Sequence, residues 1–171
     1  MTNKTTFQPQ LAAASAFIAP GAVVVGDVTL GTDSGVWFNA VIRGDTAPIR
    51  IGNQTNIQDL AVVHADDGFP CQIGDRVTVG HSAIVHGAVV EDDVLIGMRA
   101  VVMNGARIGA GSIIAVGAVV TEGVQVPPGS VVMGTPGRVM RQTESADLER
   151  IRHGAEHYVE LAREYKNVSP L

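Results

Sequence analysis

Residues 90–131 read VEDDVLIGMRAVVMNGARIGAGSIIAVGAVVTEGVQVPPGSV, and they repeat one six-residue pattern without a break. Every hexad begins with Val or Ile, and its fifth residue is Val, Ala or Ser. A six-residue period of this kind is typical of a parallel β-helix, in which each hexad forms one short strand and one corner. The first residue points into the core, and the small fifth residue fits beneath the turn. The stretch therefore predicts a solenoid with three hexads in each triangular coil.

The same frame extends outward from this stretch in both directions. Nineteen hexads can be placed from Ile18 to the hexad that begins at Val132, which gives about six coils. The frame is lengthened by three residues within 42–50 and by four within 63–72. Because insertions in a solenoid are usually pushed outward, we expect a loop at each of these two places.

The pattern changes after residue 137. Residues 145–166, SADLERIRHGAEHYVELAREYK, carry apolar side chains at spacings of three and four, which predicts an amphipathic helix. We therefore predict an all-β solenoid over residues 1–140, a parallel β-helix of hexapeptide repeats. Residues 141–171 are predicted to form a C-terminal amphipathic helix and a tail that pack on the β-helix.

The composition fits this architecture and excludes several classes of function. Apolar residues make up 46% of the chain and aromatic residues only 4%, which suits thin β-branched layers better than an ordinary globular core. The net charge of −5, without a basic stripe, argues against a nucleic-acid partner. No run approaches the roughly 20 apolar residues of a membrane span, and the single cysteine, Cys71, fits a reducing compartment. We expect a soluble, cytoplasmic protein.

Three of the five histidines lie in the repeat, and the frame assigns each of them to a face. His64 and His86 are both second in their hexads, so we expect them to stack one coil apart, with about 4.8 Å between their backbones. His81 is third in its hexad and lies around a corner on the adjoining face. The stacked pair suits two ligands of a tetrahedral zinc ion. A threefold assembly would bring His81 of one chain to the pair of the next, which predicts a trimer with a metal at each interface.

Polar neighbours surround this predicted site. Arg43 lies one coil before His64, and Asp59 lies one coil before His81, so the same docking would bring Asp59 near Arg43 of the next chain. Gln58, beside Asp59, can offer an amide to the site. The competing interpretations are solvated surface histidines and an exposed charged loop at Arg43.

The run VIRGD…IGNQTNIQDLAVVHA…IGDRVTVGHSAIVHG…VLIGM closely resembles the gamma-class carbonic anhydrases and their bacterial relatives over about residues 17–140. The resemblance implies a left-handed β-helix and a homotrimer. It also implies that Zn²⁺, or alternatively Fe²⁺ or Co²⁺, is bound by His64 and His86 of one subunit and His81 of the next. Interface and active-site roles are implied for four further residues, which are Arg43, Asp45, Gln58 and Asp59.

Two features depart from the best characterised members of that family. Thr46 follows the aspartate of the RGD-type motif, where those proteins carry a glutamate. Their longer acidic loop supplies a glutamate proton shuttle, whereas residues 65–72 here are the short ADDGFPCQ, in which Asp67 is a chemical substitute. Asp66 and Asp67 are candidate proton relays, and ordinary solvated loop residues are the alternative.

The function expected from these residues is the reversible hydration of CO2 to bicarbonate by a metal-bound hydroxide at the trimer interfaces. Gln58 would orient the hydroxide or CO2. Three alternatives use the same fold: a metal-dependent acyl-CoA thioesterase, a hexapeptide-repeat acyltransferase with one histidine as base, and a scaffold subunit with weak or no catalysis. The site residues expected besides the histidines and Gln58 are Arg43, Asp45, Asp59 and Asp67.

Overall fold

The computed structural model describes residues 5, 6, 8 and 11–167, and these form a parallel β-solenoid followed by a helix, α1 (Ser145–Asn167). The predicted fold class, an all-β solenoid of hexapeptide repeats with a C-terminal helix, is confirmed. In chain order the strands are β1 (Phe17–Ile18), β2 (Val23–Leu30), β3 (Gly35–Val36), β4 (Val41–Ile51), β5 (Asn56–Ile57), β6 (Val62–His64), β7 (Cys71–Ile73), β8 (Thr78–Val79), β9 (Ile84–His86), β10 (Val89–Val90), β11 (Leu95–Ile96), β12 (Val101–Val102), β13 (Arg107–Ile108), β14 (Ile113–Ile114), β15 (Val119–Val120), β16 (Gln125–Val126), β17 (Ser130–Met133) and β18 (Arg138–Gln142).

Parallel strands one coil apart pair in register, so the solenoid has three faces. Face A contains the first halves of β2 and β4 together with β6, β9, β12 and β15. Face B contains the second halves of β2 and β4 together with β7, β10, β13 and β16. Face C contains β1, β3, β5, β8, β11, β14 and β17, and β18 pairs with the last of these in antiparallel orientation. Each coil passes from A to B to C, and every face therefore meets the other two at corners.

The interior is a column of β-branched side chains supplied by the first position of each hexad. Ile42, Ile57, Val85, Ile96 and Ile114 are fully buried. Burying one such side chain stabilises the fold by roughly 1.5–3 kcal/mol relative to leaving it exposed. The small residues expected beneath the turns are buried as well. Among them are Ala40, Ala61, Ala83, Ala100 and Ala118.

The corner between faces C and A is a ladder of backbone hydrogen bonds. Leu60, Ser82 and Arg99 have φ values of 62°, 58° and 58°, in the left-handed region that this tight turn requires. Their N–H groups donate to carbonyl groups one coil earlier, as Ser82 does to Asp59 at 3.0 Å and Arg99 does to His81 at 3.0 Å. The ladder therefore holds Asp59 one coil before His81.

The two lengthened hexads have different structures. Residues 65–70 leave the solenoid as a loop, as predicted. The prediction of a loop within residues 42–50 is wrong, because β4 runs unbroken through this segment and pairs with β2 through a shift of register. Gly44 pairs with Gly26 and Ile49 pairs with Val28, and a β-bulge between these two pairs takes up the extra residues.

α1 covers part of face C, where it contacts β1, β3, β5 and β8. Aromatic rings meet beneath it, and the Trp37 ring centroid lies 5.0 Å from those of both Phe17 and Tyr158. Across the described residues there is no helix with the length and apolar character that crossing a bilayer demands. The predicted tail at 168–171 lies outside the described residues, and the division of the chain at residue 140 stays a prediction. The buried side chains of α1 are Ile151, Ala155, Val159 and Ala162.

Asp147 joins α1 to β18. Its carboxylate accepts hydrogen bonds from the two terminal nitrogens of Arg141, at 2.5 and 3.1 Å, and from the backbone N–H of Glu144 at 2.9 Å. The Arg141 guanidinium and then the Glu144 N–H lower the pKa of Asp147 from 3.8 to about 2. Because the pKa is lower in the folded state, the ionised carboxylate stabilises the fold above its ordinary pKa. This contribution is lost as the pH falls through the folded-state value.

Asp147→Asn is expected to remove this acid-dependent part of the stability. Between about pH 4 and about pH 2, the wild type should lose more of its free energy of unfolding than the variant, since only the wild type protonates an ion-paired carboxylate there. Urea unfolding at a series of pH values measures the difference. Glu156→Gln, which removes an exposed carboxylate from the same helix, is the matched control. Equal acid dependence in the wild type and Asp147→Asn would contradict the assignment.

Candidate metal centre

His64 and His86, here called the histidine pair, form the centre of the site. They end β6 and β9 and are direct register partners, so the strand pairing of face A stacks them one coil apart, as predicted. His64 Nδ1 lies 2.9 Å from His86 Nε2. The side chains are 12% and 22% exposed, so the pair is accessible but mostly removed from water.

The other nitrogen of each ring faces an oxygen atom. His64 Nε2 lies 3.1 Å from Oδ1 of Asp45, and His86 Nδ1 lies 2.7 Å from Oδ1 of Asn104. A carboxylate and an amide oxygen only accept hydrogen bonds, so in neutral imidazoles these two nitrogens carry the ring hydrogens. His64 Nδ1 and His86 Nε2 therefore turn lone pairs toward each other.

This donor set fits a divalent metal ion. Two facing lone pairs repel unless a cation lies between them, and neutral imidazole is a common ligand of Zn²⁺. The ligand nitrogens of a tetrahedral zinc ion are about 3.4 Å apart, so a small separation of the rings admits the ion. Metal-binding histidines usually donate their second N–H to an oxygen acceptor, as both rings do here.

Asp66 approaches the histidine pair from the inserted loop. Among the described residues, His64, Asp66 and His86 form a group whose ligand atoms all lie within 4.8 Å of one another. Asp66 Oδ1 is 4.0 Å from His86 Nε2, and Asp66 Oδ2 accepts a hydrogen bond from Asn104 at 2.9 Å. Asp67 is exposed on the loop. The structure thus brings Asp66 to the pair, and the catalytic role of Asp67 stays a prediction.

His81 lies at the corner between faces C and A and does not belong to that group, as the frame predicts. Its Nδ1 is 2.8 Å from Asp59 Oδ2, and its Nε2 lies 3.4 Å from the hydroxyl of Tyr158. Its backbone N–H donates to Oε1 of Gln58 at 3.2 Å. The side chain is 43% exposed, so the ring is accessible to a neighbouring molecule.

Arg43 and Gln58 occupy the expected coils. Arg43 is the register partner of His64, and its guanidinium lies 2.6 Å from Asp45 Oδ2. That hydrogen bond lowers the pKa of Asp45 against the opposing effect of desolvation, and it keeps a charged acceptor beside His64. Gln58 is buried and donates from Nε2 to Asn56 at 3.1 Å. Its predicted role in orienting the substrate stays a prediction.

Sequence reasoning does not find Asn104 and Tyr158. The frame places Asn104 one coil beyond Gly87, the residue after His86, but asparagine is also an ordinary corner residue of this fold, and the pattern does not separate the two roles. Tyr158 has no signal in the repeat because its position depends on how α1 docks on face C. Both side chains reach a histidine ring nitrogen in the structure.

Comparison with known proteins finds both carbonic anhydrases and transferases of this fold. Residues 87–122 match the family model for the bacterial transferase hexapeptide (six repeats). The chain is 54% identical over 145 residues to a Methanocaldococcus jannaschii protein named a probable carbonic anhydrase, and the match covers 85% of this chain and 91% of that protein.

Two further matches are a plant protein and a solved bacterial structure. Mitochondrial gamma carbonic anhydrase 2 of Arabidopsis thaliana is 38% identical over 86% of this chain, which spans 55% of the plant protein. A crystal structure from Bacillus cereus, provisionally described as an acetyltransferase, is 39% identical, with a TM-score of 0.91 and coverage of 92% of both chains.

Proposed function

The chain belongs to the gamma-class carbonic anhydrase family, and from this premise we propose that it catalyses the reversible hydration of CO2 to bicarbonate. The proposed site is a metal centre shared by neighbouring subunits of a homotrimer, with the histidine pair from one subunit and His81 from the next. Zn²⁺ is the proposed metal, and Fe²⁺ or Co²⁺ suits the same donors. The observation that carries the proposal is the pair itself, whose facing nitrogens lie 2.9 Å apart while the other nitrogen of each ring faces an oxygen acceptor.

Face A has the composition of a subunit interface. Its strands bury alternate residues in the core, so the residues between them point outward. Face B carries Arg50, Gln72 and Arg107 in the corresponding positions, and α1 covers part of face C. A continuous apolar strip on an open face is typical of an interaction surface. The strip on face A consists of Val23, Val41, Val62, Ile84, Val101 and Val119.

The two halves of the proposed centre lie on opposite edges of face A. The histidine pair lies at the edge shared with face B, and His81 lies at the edge shared with face C. When three copies turn face A toward a common axis, the His81 edge of each copy meets the histidine pair of the next. One interface then contains one complete set of three imidazoles.

The two edges also carry compatible groups at matching heights along the solenoid. In the repeat, Asp59 follows Arg43 within one coil, His81 lies between the two members of the pair, and Met98 precedes Met103. An unshifted trimer therefore places a carboxylate near a guanidinium, an imidazole between two imidazoles, and a thioether near a thioether. Compatible groups face each other in three successive coils, and this supports a trimer in which the subunits are not shifted along the solenoid axis.

In the proposed centre, hydrogen-bond acceptors on the chain would decide which nitrogen each of the three imidazoles presents to the metal ion. A divalent ion bound by neutral imidazoles supplies a Lewis acid that makes water a nucleophile at neutral pH. Asp45 and Asn104 fix the ring hydrogens of the histidine pair, and Asp59 does the same for His81. Each ring would then present a single nitrogen to a bound ion. CO2 is small and uncharged, so the site needs no elaborate pocket for it.

We propose that Asp66 and Asp67 carry away the proton that hydration releases. The reaction consumes CO2 and water and yields bicarbonate and one proton. Asp66 Oδ1 lies 4.0 Å from His86 Nε2, and Asp67 is exposed to water in the same loop. We assign the first proton transfer to the Asp66 carboxylate and the second to Asp67.

Acyl transfer is the second candidate, since the Bacillus cereus structure of the same fold carries that description. A hexapeptide-repeat transferase needs one histidine as base. That mechanism gives no role to a second imidazole whose ring nitrogen lies 2.9 Å from a ring nitrogen of the first. A metal-dependent thioesterase would use the same donors as the hydratase and differs only in substrate. Metal content and substrate together separate these functions.

Protein purified with Zn²⁺, or anaerobically with Fe²⁺, is expected to keep about one metal ion per subunit after extensive dialysis and to hydrate CO2 in a stopped-flow assay. The double variant His153→Ala/His157→Ala removes two exposed histidines of α1 and should keep both properties. Hydrolysis of acyl-CoA without CO2 hydration would replace the proposal by a thioesterase. Acyl transfer by the metal-free protein would replace it by a transferase. Tight metal binding without turnover of either substrate would indicate that the protein is a structural subunit without catalytic activity.

A further inference from the structure

We propose that Asn104 is a positioning residue that, together with Asp66, selects Nε2 of His86 as the metal-binding atom. The inference rests on the proposed metal centre and adds a residue that the repeat pattern does not distinguish from an ordinary corner asparagine. It concerns a chain of three side chains, from the loop carboxylate through the amide to the imidazole. Each link in that chain allows only one arrangement of hydrogens.

The first link orients the amide. Asp66 Oδ2 lies 2.9 Å from Asn104 Nδ2, and a carboxylate can only accept a hydrogen bond, so the NH₂ group of the amide must face it. The amide oxygen is then left for His86, whose Nδ1 lies 2.7 Å away. Because that oxygen also only accepts, Nδ1 carries the hydrogen of the neutral ring and Nε2 is left with its lone pair. Nε2 is the nitrogen that faces His64.

The backbone next to His86 is shaped to admit this amide. Gly87 follows the histidine directly and has a φ of +54°. A Cβ atom at this position would lie only 2.3 Å from Asn104 Oδ1. A side chain there would displace the amide from His86, so Gly87 and Asn104 act as one unit with the ligand.

A neutral amide has a specific advantage over a carboxylate at position 104. An aspartate would still accept from His86 Nδ1, but it would place a second negative charge against Asp66 and lose the hydrogen bond between them. The amide donates to one neighbour and accepts from the other at the same time. Asp66 therefore acts on His86 through Asn104, in addition to lying 4.0 Å from its Nε2.

Asn53 is the matched control that the fold supplies. Its Oδ1 accepts from the backbone N–H of Thr32 at 2.9 Å, and its Nδ2 donates to Asp75 Oδ2 at 3.3 Å. It is thus another corner amide that links an N–H group to a carboxylate, but neither partner is a histidine. Asn53→Ala removes the same kind of side chain without touching the proposed centre.

The test compares Asn104→Ala with Asn53→Ala by two measurements. Nitrogen-15 NMR of the metal-free protein reports which nitrogen of His86 carries the hydrogen, and competition with a chelator reports the affinity for Zn²⁺. The wild type and Asn53→Ala should show the Nδ1–H form and equal affinity. Asn104→Ala should shift His86 toward the Nε2–H form and weaken zinc binding by about 10–100-fold. Asn104→Asp, which keeps an acceptor, should retain the Nδ1–H form.

The proposal is overturned if His86 in Asn104→Ala keeps the wild-type tautomer or if its zinc affinity equals that of Asn53→Ala. If the alanine variant does not fold, Asn104→Ser takes its place in both measurements, because the serine hydroxyl is too short to reach His86. The tautomer is read without metal or substrate. A failure to hydrate CO2 would therefore count against the proposed function and leave the assignment of Asn104 standing.

Discussion

Mixed trimers assembled from His64→Ala chains and His81→Ala chains are expected to recover about a quarter of the wild-type zinc content and CO2 hydration. Either variant alone should hydrate CO2 slower than the wild type by a factor on the order of 10³ or more, because water is not activated without the ion. In an equal mixture, half of the chains keep His81 and the other half keep the intact histidine pair. A complete set of ligands then forms at about one interface in four, since each interface draws one edge from each of two chains.

The two variants can be unfolded together, refolded as a mixture and compared with the separately refolded proteins. A mixture of His64→Ala and His86→Ala chains is the control, because neither chain then carries an intact histidine pair. That mixture should stay without zinc and without activity. Recovery in both mixtures, or in neither, would contradict a centre that is divided between subunits.

The placement of the histidines follows from the sequence because the repeat leaves no freedom of register. A hexad buries its first residue, and three hexads return the chain to the same face. The spacing between His64 and His86 therefore decides that they are neighbours, although they are 22 residues apart. The same reasoning places Arg43 beside His64 and His81 at the other edge of face A.

The repeat does not determine the contacts that depend on individual side chains or on segments outside the frame. The repeat predicts a loop within residues 42–50, but β4 continues through this segment, because a β-bulge between the pairs Gly26–Gly44 and Val28–Ile49 takes up the extra residues. The contact between Tyr158 and His81 depends on the docking of α1, which the helical pattern alone does not specify. The bond from Asn104 to His86 needs the loop at Asp66 to orient the amide, and the path of that loop has no period.

Val101→Asp is expected to dissociate the proposed trimer and, as a consequence, to release the metal. Val101 lies in the middle of the apolar strip on face A, between Ile84 and Val119 in register, and its side chain is only partly buried in the single chain. Around a threefold axis the substitution introduces three carboxylates into an apolar interface. Each unpaired charge removed from water costs on the order of several kcal/mol. Analytical ultracentrifugation should find monomers at micromolar concentration, and dialysed protein should contain no zinc.

Val89→Asp is the matched control for this loss of assembly. Val89 is also a partly buried, outward-facing strand valine, but it lies on face B between Gln72 and Arg107. A carboxylate there faces water and a guanidinium, so the variant should remain a zinc-containing trimer. Circular dichroism should show the same β structure in both variants, since neither side chain points into the solenoid interior. A zinc-loaded trimer of Val101→Asp would show that face A does not line the threefold axis. The three imidazoles would then have to meet in some other arrangement of subunits.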